Sequence, residues 1–334
     1  MAVYNHYQVL QPTTLVAGAE TVRVSLGVQP LSALLIRQTA LLAGANTDDN
    51  LFNFFAKLDL VEVDYRGTRL VSGRAIDLVR AFRVLSRVKP RFVAPGVTAG
   101  SVRECVWAIC FGRRLYDPLR CLPAVNKGDL TLTIRTVANP SGYNNYSVSV
   151  EAIELPDARP TEFHRVTTQT FSPAAAGIYD VDIPRALRLV GIGFVNSQST
   201  PYAGANTIAD VELLANNSEQ YVSFGSFEML RALASFVAGS PDLLALHRHT
   251  ENTAGAYAQN AATLTDRVVQ STVDDFGFIP LDPTGDDLYS LVTEPLNNLV
   301  LRVTVGAAGT ARILPMEVGT DAWLFRRAGN LATR

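Results

Sequence analysis

The chain has four histidines, His6, His164, His247 and His249, and they gather in one place only, Leu246-His247-Arg248-His249-Thr250-Glu251. Two imidazoles and a carboxylate at alternate positions would face one way on a strand and could hold a transition metal. This segment follows Pro241 and a leucine-rich stretch, and it reads as a solvated loop. Asp282-Pro283-Thr284-Gly285-Asp286-Asp287 has the composition of a calcium loop without its spaced ligands or closing glutamate, so an ordinary turn is expected. The chain contains no GxSxG elbow, no P-loop and no dinucleotide fingerprint. No catalytic residue, cofactor site or metal site is expected. In 334 residues that lack of catalytic grammar points to a binding or structural role and not to an enzyme.

Two other sets of reactive or charged side chains stand out. Cys105, Cys110 and Cys121 are odd in number and lack CxxC spacing, which argues against a disulfide framework and a zinc site. Reduced, buried thiols are expected, in a protein folded inside a cell. The run Arg66, Arg69, Arg74, Arg80, Arg83, Arg87, Lys89, Arg91 contains a single acid, Asp77. On a helix from Arg74 to Arg87, Arg80, Arg83 and Arg87 fall opposite an apolar stripe of Ile76, Val79, Phe82 and Leu85. Such a face suits lipid headgroups, phosphate or the acidic surface of a neighbouring copy, or is simply solvated. Aromatic residues do not interleave with the arginines, so no stacking platform for single strands is indicated. With a net charge of −2, no specific nucleic-acid partner is expected.

These groups must be held by a largely apolar chain: 48% hydrophobic and only 18% charged. Contact with further copies of itself would account for so lightly charged a surface. The charges are also unevenly placed. Residues up to Arg165 include 19 basic and 14 acidic side chains, and the remainder 10 and 17. No signal peptide opens the chain, and no apolar run is long enough to span a bilayer.

Period-two alternation and buried apolar runs predict strands at 21–26, 31–42 (a short helix being the alternative), 51–63 with a short helix at its front as an option, 68–72, 104–111, 130–137 and 146–155 in the first half. In the second half it predicts them at 163–171, 178–183, 186–195, 267–278, 299–305 and 311–318. Gly191 and Gly193 inside 186–195 indicate a bulge or a close backbone approach. Residues 1–19 read as an irregular arm, 239–260 as a loose segment, and the closing RRAGNLATR as a flexible tail. Many short strands with only two strong helices define an all-β sandwich or barrel and exclude a parallel α/β sheet.

The stretch VEVDYRGTRLVSGRAIDLVRAF from Val61 has a worn copy in VELLANNSEQYVSFGSFEMLRAL from Val211. Val61-Glu62 matches Val211-Glu212, Ser72 matches Ser223, and Asp77 matches Glu228. Arg80-Ala81-Phe82 matches Arg231-Ala232-Leu233. Gly44-Ala45-Asn46-Thr47 precedes one copy and Gly204-Ala205-Asn206-Thr207 the other. Phe111-Gly112 with Asp117-Pro118 is answered by Phe276-Gly277 with Asp282-Pro283. Echoes in one order indicate a duplicated domain. PDARP at 156–160 is the natural linker, giving halves 1–157, with an N-terminal arm, and 158–334, with a C-terminal tail.

Tandem barrels, each with a helix entered from a strand–turn–strand unit, resemble the double jelly-roll major capsid proteins of tailless icosahedral viruses. The carriers are NLFNFFAKLDLVEVDYRGTRLVSGRAIDLVRAF, FGRRLYDPLRCLPAVNKGDLTLTI and their partial repeats. The resemblance implies an all-β fold of two tandem eight-stranded jelly rolls, each with an inserted helix. It implies a virion protein whose homotrimers, pseudo-sixfold in outline, build an icosahedral shell assembled in the host cytoplasm. Partners would be neighbouring capsomers, minor capsid or penton proteins and internal membrane lipid. Arg80, Arg83, Arg87, Arg326 and Arg327 are the candidates for inter-subunit or membrane contact. Two other readings stay open: a bicupin-like metalloenzyme, and a carbohydrate- or receptor-binding sandwich using Tyr143, Tyr146, Tyr202 and Tyr257.

Overall fold

The computed structural model describes residues 3–15, 20–44, 54–93, 98–137, 142–196, 207–216, 219–224, 226–239, 250–251, 257–258, 273, 276–286 and 288–331. By packing, the chain divides into two compact units. One is built from Met1–His164, Asp242–Thr272 and Thr320–Arg334, the other from Arg165–Pro241 with Val273–Gly319.

The first unit contains β1 (Asn5–Thr14), β2 (Thr21–Ser25), β3 (Leu31–Leu42), β4 (Leu58–Tyr65), β5 (Thr68–Gly73), α1 (Ala75–Ser86), β6 (Arg91–Val93), β7 (Val102–Cys110), β8 (Leu130–Thr136) and β9 (Tyr143–Glu154). They form two antiparallel layers, in the orders β1-β9-β3-β7-β6 and β5-β4-β8-β2. Alternation explains the core. Along β8, Leu130, Leu132 and Ile134 are buried while the threonines and arginine between them are partly exposed.

β10 (Glu162–Thr167) runs across the division. The second unit continues with β11 (Gln169–Phe171), β12 (Gly177–Asp182), β13 (Arg188–Val195), β14 (Ile208–Ala215), β15 (Glu219–Phe224) and α2 (Phe227–Ala238). The short ladder of β16 (Thr250–Glu251) and β17 (Tyr257–Ala258) is assigned to the first unit, and the second resumes with β18 (Phe276–Pro280), β19 (Leu299–Val305) and β20 (Ala311–Thr320). One layer here runs β18-β13-β20, with β11 on the far edge of β20; the other runs β12-β19-β14-β15. Ile192, Phe194, Leu213, Leu301 and Ile313 meet in the core between them.

The two units repeat each other strand for strand. β2-β8-β4-β5 in the first is β12-β19-β14-β15 in the second, and β1-β9-β3-β7 is β11-β20-β13-β18. The registers also agree. Glu62 lies opposite Ser72 and Val63 opposite Val71, after which the ladder slips; Glu212 lies opposite Ser223 and Leu213 opposite Val222, and it slips at the same place. On the other edge, slips follow Leu58 in β4 and Ile208 in β14. A third pair follows Leu31 and Leu189, which face Glu154 and Glu317. A bulge moves every later side chain to the opposite face, so each one is strongly specified. Three shared positions mark the units as two copies of one ancestral domain.

The register also revises which residues correspond. Leu31 and Leu122 exchange two backbone hydrogen bonds of 2.8 and 2.9 Å, and so do Leu189 and Leu291. The Asp117 carboxylate accepts from the Leu119 N–H at 3.1 Å, and the Asp286 carboxylate from the Leu288 N–H at 3.1 Å. Asp117-Pro118-Leu119-Arg120-Cys121-Leu122 therefore corresponds to Asp286-Asp287-Leu288-Tyr289-Ser290-Leu291. The expected match of Asp117 to Asp282 was out of step. So was Phe111 with Phe276: Phe111 donates to the Ser32 carbonyl as Leu281 donates to that of Val190. The Gly-Ala-Asn-Thr echo lies almost wholly outside the described residues.

Two expected tails are ordered. β1 replaces the irregular arm and pairs with β9, at the edge of its sheet, where Pro12 is tolerated. The closing segment is α3 (Asp321–Leu331). The Thr320 hydroxyl caps it by accepting from Trp323 N at 3.2 Å, Leu324 is buried, and Phe325 packs edge-on to Tyr65. Among the described residues, no helix is long and apolar enough to cross a membrane.

The glycines in β13 mark a close approach. A Cβ on Gly193 would stand 2.4 Å from the Phe276 ring, and one on Gly191 2.4 Å from that of Phe278. Both rings are buried and stack at 6.4 Å. Gly193→Ala is expected to destabilise the protein by roughly 1–3 kcal/mol through overpacking, read as a lower urea midpoint with an unchanged slope.

Candidate functional site

The basic stripe on α1 does not face solvent. Arg80 and Arg83 are buried along with nearly the whole helix, and this corrects the expected outward-facing basic face. A guanidinium at the end of an apolar stem can be taken inside where it finds acceptors. Arg83 donates to the Arg87 carbonyl at 3.0 Å, where the chain leaves the helix at φ 59°. Arg87 and Arg326 are exposed. The side chain of Arg327 lies outside the described residues.

Among the described residues there is no group of three metal-ligating side chains. His247 and His249 lie outside them, as does the Glu251 side chain and most of the 239–260 segment. Gly285 turns the Asp282 segment at φ 77°, and the Thr284 hydroxyl donates to Asp286, so these groups satisfy one another as in an ordinary turn. Tyr143 and Tyr146 are buried and unavailable to a saccharide.

The sequence reading missed a pair of buried glutamates. Glu154 and Glu317 hold the same position in the two copies, at the bulge of the central strand pair. Both sit inside apolar stretches, Ala152-Ile153-Glu154-Leu155 and Pro315-Met316-Glu317-Val318, and that shared pattern was the available signal. Their partners differ. Glu154 accepts from the Tyr7 hydroxyl at 3.0 Å, and burial holds its carboxyl above the usual range. Burial first, then the charge of Glu154, pushes the Tyr7 phenol up to about 12. Glu317 instead forms a charge-assisted ion pair with Arg165.

The other notable features are surfaces. Leu119 and Leu288, 68% and 72% exposed, project from the two corresponding turns. On α2, Phe227, Leu230 and Ala234 face inward, and a Cβ on Gly277 would meet the Phe227 ring at 2.8 Å. Its outward face carries Met229 and Phe236.

The chain thus has a double jelly-roll fold, with one helix after the fifth strand of each roll. The same fold occurs in the major capsid protein of Sulfolobus Turreted Icosahedral Virus, at TM-score 0.65 and 13% identity over 97% of this chain and 98% of that one. Major capsid protein P2 of bacteriophage PM2 aligns at TM-score 0.58 and 12% identity, over 95% and 98%. The capsid of the virus PBCV-1 aligns at 0.59 and 11%, over 95% and 94%. No family model matches the sequence, and no curated protein matches it.

Arg165→Ala would remove the guanidinium paired with the buried Glu317 and is expected to cost up to about 3–5 kcal/mol in chemical denaturation. Arg302→Ala, which breaks the half-exposed pair with Asp180, should cost about 1 kcal/mol or less. The thiols set an alkaline limit. Burial pushes Cys110 up to about 11 and Cys121 up to about 12. Thiols ionise more easily once the chain unfolds, so their burial favours the fold below about pH 9. That contribution is lost as pH rises through 9 to 11, and the denaturation midpoint is expected to fall across that interval.

Proposed function

We propose that the chain is a structural subunit of an icosahedral virion shell, a major capsid protein acting through shape and not through a reaction. The observation that carries this reading is the double jelly roll itself, shared over nearly the full length of both chains with solved major capsid proteins. The internal duplication supports it further. Two rolls in one chain let three copies form a ring of six similar barrels, and closed rings of identical subunits are the common solution for assembly. In this reading the rolls are residues 1–157 and 158–334, and the capsomer is a homotrimer that meets neighbouring capsomers and minor or penton proteins. The exposed Arg87 and Arg326, with Arg327, are contact candidates toward a neighbour or an internal membrane, and assembly takes place in the host cytoplasm.

Light scattering on the purified chain is expected to give about three times 36.1 kDa. Imaging of particles from the source is expected to show this chain as the bulk of the shell. A stable monomer, or particles without the chain, would sink the proposal.

A further inference from the structure

The sister helices differ in one respect that the duplication makes informative. Aligned on Asp77–Glu228 and Arg80–Arg231, Leu78 corresponds to Met229 and Leu85 to Phe236. In α1 this face is covered: Asp77, Leu78 and Ala81 are buried and Leu85 is half-buried. In α2 the same face is open, with Met229 60% and Phe236 77% exposed and Glu228 at its rim. Met229 and Phe236 lie two turns apart on one side, with Ala232 and Leu233 between them, partly exposed. A soluble helix normally puts polar residues there. Here the polar residues are few and the exposed ones large.

We propose that this face of α2 is the heterologous contact of the capsomer, seated against the basic first half of a second copy. The proposal rests on the trimeric reading above. The occupant is argued from charge and from repetition. The half that carries α2 has an excess of acids and the first half an excess of bases, so a head-to-tail arrangement brings opposite signs together at each junction. Each chain then offers one open apolar face and one complementary basic half, and three such contacts close a ring with none left over. The pairing also gives α2 the cover that α1 already has.

The test uses the full chain. Phe236→Asp is expected to weaken association at least a hundredfold. Light scattering then reads 36.1 kDa at concentrations where the parent is trimeric, with an unchanged far-ultraviolet spectrum. Leu288→Asp, an equally exposed apolar site elsewhere, is expected to stay trimeric. A Phe236→Asp protein that remains trimeric, or that loses its fold, overturns the proposal, because the face is then either unused or covered by the chain itself. As a second readout, Phe236→Cys is probed with a maleimide, the native thiols being buried. Protection in the trimer with reaction on dilution to monomer supports the proposal. Reaction in the trimer, or protection that persists in the monomer, defeats it. A parent protein that is itself monomeric defeats the capsid reading instead.

Discussion

β4 and β14 are paired on both edges, and the rest of each roll is arranged around that pairing. β4 is held between β5 and β8, β14 between β15 and β19, and in each case the ladder slips once on either side. A slip costs hydrogen bonds locally and turns later side chains over, so it survives only where the packing on both faces requires it. The alternating residues of β8 and β19 then fill the interior against these strands, and the helix that follows β5 or β15 is delivered to the same place in each roll. Close packing allows no drift: once the bulges are set, the apolar faces have one way to meet.

The parts legible in the sequence are those where a single element carries its own signal. β4, β8, β9 and β19 alternate cleanly, and α1 has a strong apolar stripe. Gly191 and Gly193 announced their close approach because nothing larger fits beneath Phe276 and Phe278. β1 was illegible for the converse reason: NHYQVLQPTT is polar, holds a proline, and is a strand only because β9 offers it an edge. α3 depends on two or three anchoring side chains in an otherwise polar run. Arg80 and Arg83 misled because a helical wheel assigns every arginine to solvent, whereas both are buried and Arg83 donates to the Arg87 carbonyl at the end of its own helix.

The duplication was visible in Val61–Phe82 and Val211–Leu233, but part of its evidence was aligned to the wrong residues. Asp-x-Leu-x-x-Leu at 117–122 and 286–291 is a better echo than the two Asp-Pro pairs, yet its meaning depends on hydrogen bonds between distant residues. Glu154 and Glu317 show the same limit. A glutamate set in an apolar stretch looks unremarkable until the register puts both copies at one bulge with different answers, a phenol in one roll and a guanidinium in the other. The copies have kept their backbone and diverged in what they bury.

Cys105, Cys110 and Cys121 are all buried and unbridged, with their thiols held protonated at neutral pH. Since the thiolate is the form that reacts with oxidants, the folded chain is indifferent to redox conditions. No covalent link joins its cysteines, so the stability of the fold rests on packing together with buried polar contacts such as Arg165–Glu317.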